Sequence, residues 1–479
     1  MRASEHRRNL PKVARAKRAK RARVQEPLIL GTPVSRFALR TCILLLGAYS
    51  IGFVIPKAAV IFYLGSAIWC LLKPRRIVEG ISFMFFILMA NPGLLSGFKD
   101  LRWLVLACGF FSALGVAFGA EPGVWARLPK FFLVVLAFVC VELVVNRFSS
   151  KIPTISVFKL VSFGIGATTL ILGFAIAKRQ NSYWMDWFGG LFAAALIGSV
   201  FYRLVGRGYE YNGTGFQGVF GHPQTLGTLV GVMTAFFVGR YLFERSKGSL
   251  WLVFGVLGFV LVYMSGCRTG GFAMVLGGIL VCGYGFIRRD HNFVRSRVAN
   301  HAPTFALIGI LSIFFAPSQF QKMLEEFATK GEGDYGGISQ AFTQSRQSLI
   351  DRSMDNFRQY PIAGIGFGLP SEASGTSESL LKVQRIAGIP ISASVEKGSL
   401  PAAMLEETGI IGAVLCLALL AAVVHSMVTR GNYILSWMAL TAILLNVGEA
   451  MFFSMGGLGL FVWTVIAWMG TPVPSKLKN

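Results

Sequence analysis

Acidic residues are scarce in this chain, with 22 Asp and Glu among 479 residues against 46 Lys and Arg. Charged residues of both signs make up 14%, where an ordinary soluble domain carries roughly a quarter. So little charge cannot cover a water-facing surface, which excludes a string of soluble domains. No cysteine lies in the one long hydrophilic stretch. All seven (Cys42, Cys70, Cys108, Cys140, Cys267, Cys282, Cys416) sit in or beside apolar segments, which leaves no disulfide framework and no Cys-x-x-Cys metal motif. They read as small buried hydrophobes. A dinucleotide fingerprint is missing as well: "GIGFG" at 364–368 follows no strand and has the wrong spacing, so it reads as a flexible turn.

Long apolar runs are abundant. The chain is 54% hydrophobic with a mean hydropathy of +0.60, and runs of about 15–20 residues, near the length that crosses a bilayer as a helix, recur along it. The expected fold is all-α: a polytopic transmembrane bundle with one large helical outer loop. Spans are expected at 38–55, 58–72, 79–95, 103–119, 131–145, 157–176, 187–201, 224–243, 250–266, 270–287, 302–317, 405–425, 432–447 and 456–470. That is fourteen helices, or twelve if two in the first half are not spans.

The formal charge of +24 is unevenly placed, with twelve Lys/Arg against two Glu in the first forty residues. Beside a membrane helix, a basic arm of this kind (residues 1–36) belongs in the cytoplasm against anionic lipid rather than on nucleic acid. No small-residue cleavage site follows the first apolar run, so that run reads as a retained helix. Alternation from a cytoplasmic arm then puts "KPRR" (73–76), "AKRQ" (177–180), "ERSKG" (244–248), "RRDHNFVRSR" (288–297), "TRGN" (429–432) and the tail at 471–479 inside. Most clustered basic charge outside the long loop falls on that side, as the positive-inside rule requires. The resulting layout is a membrane region at 37–317, a large outer loop at 318–404, and a second membrane region at 405–470.

Within the first membrane region, 202–223 and 265–271 also face outward. The first is rich in glycine, with Tyr209, Tyr211, Phe216 and Phe220 offering faces for an interface or a sugar ring. His222 precedes Pro223, which suits the first turn of the next helix. The second, "SGCRTGG", places Arg268 close to hydrocarbon, where an unpaired charge is expensive and a functional partner is the default reading. The backbone N–H groups around it offer an anion site at a helix start. In the large loop, apolar positions at helical spacing predict an amphipathic helix over 338–359, stopped by Pro361. The charges that follow, Glu396, Lys397, Glu406 and Glu407, read most simply as a solvated helix cap.

Four pieces in order, "GVFGHPQTLG" (218–227), "SGCRTGG" (265–271), "SRQSL…YPIAGIGFG" (345–368) and "LEETGIIG" (405–412), resemble the O-antigen ligase and polymerase family of bacterial inner-membrane glycosyltransferases. The resemblance covers the C-terminal half. It implies a metal-independent enzyme with no cofactor, working at the periplasmic face on glycans carried by undecaprenyl pyrophosphate. A glycan acceptor, membrane lipids and polysaccharide chain-length or export proteins are its partners. It implies pyrophosphate binding by Arg268, then Arg346, then Arg207. The family's outer-loop histidine is absent, since no His lies between His301 and His425. Glu396 and His222 are the candidate bases. The readings left open are a polymerase of lipid-linked repeat units, a ligase passing glycan to lipid A or another acceptor, a lipid-linked oligosaccharide flippase, and a non-catalytic scaffold.

Overall fold

The computed structural model describes residues 27–120, 122–209, 215–244, 248–301, 338–371, 383–386, 389–393 and 397–472. Two small antiparallel hairpins are its strands: Leu28–Ile29 with Thr32–Pro33 (β1, β2) and Val383–Ile386 with Ile389–Ala393 (β3, β4). The rest of the regular structure is helix. The first half contributes α1 (Arg36–Val54), α2 (Ala59–Leu72), α3 (Ile77–Leu88), α4 (Leu101–Gly115), α5 (Phe131–Ser149), α6 (Pro153–Ala177) and α7 (Asn181–Leu204). There follow α8 (Pro223–Phe243), α9 (Leu250–Ser265), α10 (Arg268–Arg288), α11 (Ile338–Gln359), α12 (Leu400–Arg430), α13 (Tyr433–Gly448) and α14 (Leu458–Gly470).

Thirteen of the fourteen expected spans coincide with helices, and the remaining one, 302–317, lies outside the described residues, as do the basic arm up to residue 26 and the tail from 473. Among the described residues eight helices are long and apolar enough to cross a membrane, with Pro56–Leu72, Leu250–Ser265, Tyr433–Gly448 and Leu458–Gly470 shorter but apolar. The expected span 79–95 is corrected: α3 stops at Leu88. Its continuation meets Asn91-Pro92-Gly93, where Asn91 Oδ1 accepts from the Gly93 N–H at 2.8 Å and fixes a turn instead. The amphipathic helix expected over 338–359 is α11 with the same bounds.

The core is aromatic. Phe138 stacks on Phe453 with centroids 5.0 Å apart, and Phe163 meets Phe453 edge-on at 4.9 Å. Helices around the bundle present apolar side chains outward, among them Ile61 (α2), Phe111 (α4), Leu133 (α5), Ile287 (α10) and Leu417 (α12). In water each such side chain would forgo about 1.5–3 kcal/mol of burial. A belt of them on successive helices is stable only against hydrocarbon. The chain is a polytopic helical membrane protein. Where α8 meets α10, glycines allow close approach: a Cβ on Gly231 would sit 2.9 Å from the Gly270 carbonyl.

One helix is broken on purpose of packing. Within α12, Gly409 has φ 60° and ψ −159°, so the helix runs to Thr408 and restarts at Ile410. The freed backbone groups do not go unsatisfied. Ile410 N–H donates to the Pro361 carbonyl at 2.9 Å, while Ile365 and Gly366 N–H donate to the carbonyls of Glu406 and Glu407 at 2.8 and 3.0 Å. The turn at 361–366 is thereby spliced into the break.

Candidate functional site

At one end of the bundle several irregular segments meet. There the Asn91 N–H donates to Val219 O at 2.7 Å and the Phe216 N–H to Met264 O at 3.1 Å, tying 89–98, 215–222 and the 265–267 turn together. Gly448, at the end of α13, packs on Thr269, and Gly456 packs on Arg102 and Trp103. Lys159 Nζ donates to Gly368 O at 2.9 Å, joining the start of α6 to the turn after α11. The four segments on which the family resemblance rests therefore meet in two pairs: 218–227 against 265–271, and 360–368 against 405–412.

The second pair holds a buried polar cluster, which corrects the reading of these charges as a solvated cap. The side chains of Lys397, Glu406 and Glu407 are 2%, 0% and 11% exposed. Lys397 pairs with Glu406 Oε2. The same carboxylate accepts from Ser353 Oγ at 2.6 Å and Asn356 Nδ2 at 2.6 Å, both on α11. Lys397 Nζ also donates to Ser371 Oγ at 3.2 Å and lies 3.9 Å from Glu407 Oε1. Burying an ion pair is expensive unless further hydrogen bonds satisfy it, and here they do. "GIGFG" is likewise no flexible turn. Gly364, Gly366 and Gly368 have φ of 69°, 126° and 68°, and a Cβ on them would collide with Glu407 backbone, Ser150 Oγ and the Lys159 stem. Gly368 N–H donates to Glu407 Oε2 at 2.6 Å and Phe367 N–H to Asn146 Oδ1 at 2.6 Å. Asn146 Nδ2 in turn donates to Glu142 Oε2 at 2.8 Å on α5.

Beside this cluster opens a cavity of about 240 Å³. Among the described residues, Arg102, Lys159 and Lys397 supply three cations to its wall, Glu407 the one carboxylate, and Trp103, Phe367 and Phe453 the aromatic surface. Such a set suits an anion of two or more negative charges. Among the described residues no three His, Cys, Asp or Glu side chains converge as a metal-ligand set.

The residues singled out from sequence are dispersed. Arg207 is exposed, with its guanidinium 4.9 Å from the Phe53 ring. It lines a separate cleft of about 730 Å³ with Asn91, Tyr202, Tyr209, Gln217 and backbone of Gly206, Gly208 and Gly221. Phe216 and Phe220 are fully buried, so they form the floor under the glycine-rich segment rather than faces for a ligand; Tyr211 lies outside the described residues. His222 caps α8, its Nδ1 accepting from the Gln224 N–H at 3.2 Å, with Pro223 at the first turn as expected. Arg268 opens α10 half-buried. Two backbone groups expected to serve an anion there are already engaged, the Arg268 N–H with Gly266 O at 3.1 Å and the Cys267 N–H with Ser265 Oγ at 3.2 Å. Arg346 lies on α11, but its side chain and the whole of Glu396 lie outside the described residues.

Arg102, Lys159, Glu142 and Asn146 were not singled out from the sequence. A signal for two of them was present: Glu142 in "VCVELVV" and Lys159 in "SVFKLVSF" are lone ionisable residues in apolar helices, which by itself points to a functional interior. No known protein family matches the chain, and no curated protein does.

Proposed function

We propose that the chain is a metal-independent membrane glycosyltransferase, a polymerase that joins glycan repeat units carried on undecaprenyl pyrophosphate into a surface polysaccharide or exopolysaccharide. It works at the periplasmic face of a bacterial inner membrane, with both termini in the cytoplasm. The observation that carries the reading is the cavity lined by Arg102, Lys159 and Lys397 at one end of a lipid-facing bundle. Glycosyl transfer from a lipid pyrophosphate needs no metal if fixed cations receive the leaving group. In a dry site such groups stabilise the developing charge by several kcal/mol. The order and spacing of the four sequence segments support the same reading. In it, Arg102, Lys159 and Lys397 seat the pyrophosphate, Arg268 stands at the neighbouring turn, and the glycine-rich cleft beside Arg207 receives sugar.

The test is to reconstitute the full chain in lipid nanodiscs with a glycan-bearing undecaprenyl pyrophosphate and size the products. Ladders of lipid-linked polymer support the polymerase. Transfer of one glycan to a separate acceptor, without ladders, would make the chain a ligase. Donor left intact but moved across the bilayer in vesicles would overturn the enzyme reading in favour of a transporter.

A further inference from the structure

We propose that Glu407 accepts the proton of the attacking hydroxyl, an assignment that rests on the glycosyl-transfer reading above. The two adjacent glutamates of "LEETG" have opposite situations. Glu406 has both oxygens occupied, by Ser353 and Lys397 on Oε2 and by Asn356 on Oε1, and is closed off from the cavity. Glu407 lines the cavity and, among the described residues, is its only carboxylate. Its Oε2 is fixed by the Gly368 N–H. Oε1 makes no hydrogen bond among the described residues, and the nearest cation, Lys397 Nζ, stands at 3.9 Å. One oxygen is thus anchored and the other is left with acceptor capacity, the arrangement a positioned base needs.

The surroundings hold that oxygen in place. The helix break at Gly409, two residues on, ties the Glu407 carbonyl to Gly366 N–H. Lys159 holds the Gly368 carbonyl, so the same turn that anchors Glu407 is pinned to α6. His222 is not a rival in this cavity, since it caps α8 and is absent from the wall. In the step, the acceptor O–H proton passes to Glu407 Oε1 while the acceptor oxygen bonds to the anomeric carbon. The bond from that carbon to the phosphate oxygen breaks, and its electron pair leaves on the pyrophosphate, received by Arg102, Lys159 and Lys397. The proton returns to water when the product departs.

The experiment uses the full chain in nanodiscs and reads two quantities for wild type and Glu407→Gln: affinity for inorganic pyrophosphate and turnover with the lipid-pyrophosphate glycan. We expect pyrophosphate affinity within about threefold of wild type and turnover lower by about 10²–10⁴-fold. Glu407→Ala with added formate should regain part of the lost turnover. A Glu407→Gln variant keeping more than about a tenth of wild-type turnover overturns the assignment. If that variant also loses pyrophosphate binding, Glu407→Ala decides: recovery with formate supports a base, and no recovery overturns it. A wild type inactive on the glycan donor defeats the glycosyl-transfer reading and this one with it, whereas an active wild type beside an active Glu407→Gln defeats this one alone.

Discussion

The cleft beside Arg207 and the cavity beside Lys397 lie at the same end of the bundle and are built on different principles. The cleft is walled by glycine backbone, amides and tyrosines, and among the described residues its one charged lining residue, Arg207, is exposed. Among the described residues the cavity is walled by three cations and a carboxylate, of which Lys159 and Glu407 are bonded to the Gly368 turn and Lys397 to Glu406. The difference teaches where charge can act. An exposed arginine is screened and entropically free, so its hold on an anion is weak. A cation inside a bundle acts in a low dielectric and has already lost its freedom on folding. On the proposed function, phosphate chemistry would belong to the second place and neutral, hydroxyl-rich groups to the first.

The sharpest way to break this comparison is to remove the carboxylate that organises the cavity wall. Glu406→Ala leaves Lys397 buried without its partner and strands Ser353 and Asn356, at a cost of about 3–5 kcal/mol. We expect a large drop in thermal stability and protease cleavage within α11 faster than in wild type. Unchanged melting and proteolysis would mean that the buried cluster does not hold the outer helix. A smaller effect is expected from Gly409→Ala. At φ 60° a side chain is strained, and its Cβ would collide with the Ile362 carbonyl. About 1–3 kcal/mol is expected for the strain, read as a lowered melting temperature with the helical circular dichroism retained. The equivalent change at Gly206, also at positive φ but with nothing within 4 Å of its added Cβ, should cost less.

Much of the fold was legible in the sequence because lipid demands it. Apolar runs located thirteen helices, one of them (79–95) too long at its end, and the 3.6-residue period gave the bounds of α11 without tertiary information. The site was less legible for a physical reason. "EKGSLPAAMLEETG" read alone is a charged helix cap. Its burial is set by Ser353 and Asn356, roughly fifty residues upstream, and no local pattern records that pairing. "GIGFG" is similar: its three positive φ values are needed to enter the break in α12, which becomes visible only when the two segments are docked. Arginines attracted attention in glycine-rich outer turns, while Lys159 and Glu142, lone charges inside apolar helices, carried the stronger physical signal.

The central claim, that the cavity rather than the cleft seats the pyrophosphate, is tested most directly by the affinity of the full-length protein for inorganic pyrophosphate in two variants. Removing a cation that hydrogen-bonds a charged ligand in a partly dry site forfeits about 1.5–3 kcal/mol, so Arg102→Ala should weaken binding by tenfold or more. Arg207→Ala, at the rim of the cleft, should change it by less than about twofold. The reverse ranking, with Arg207→Ala losing pyrophosphate and Arg102→Ala keeping it, would contradict the account.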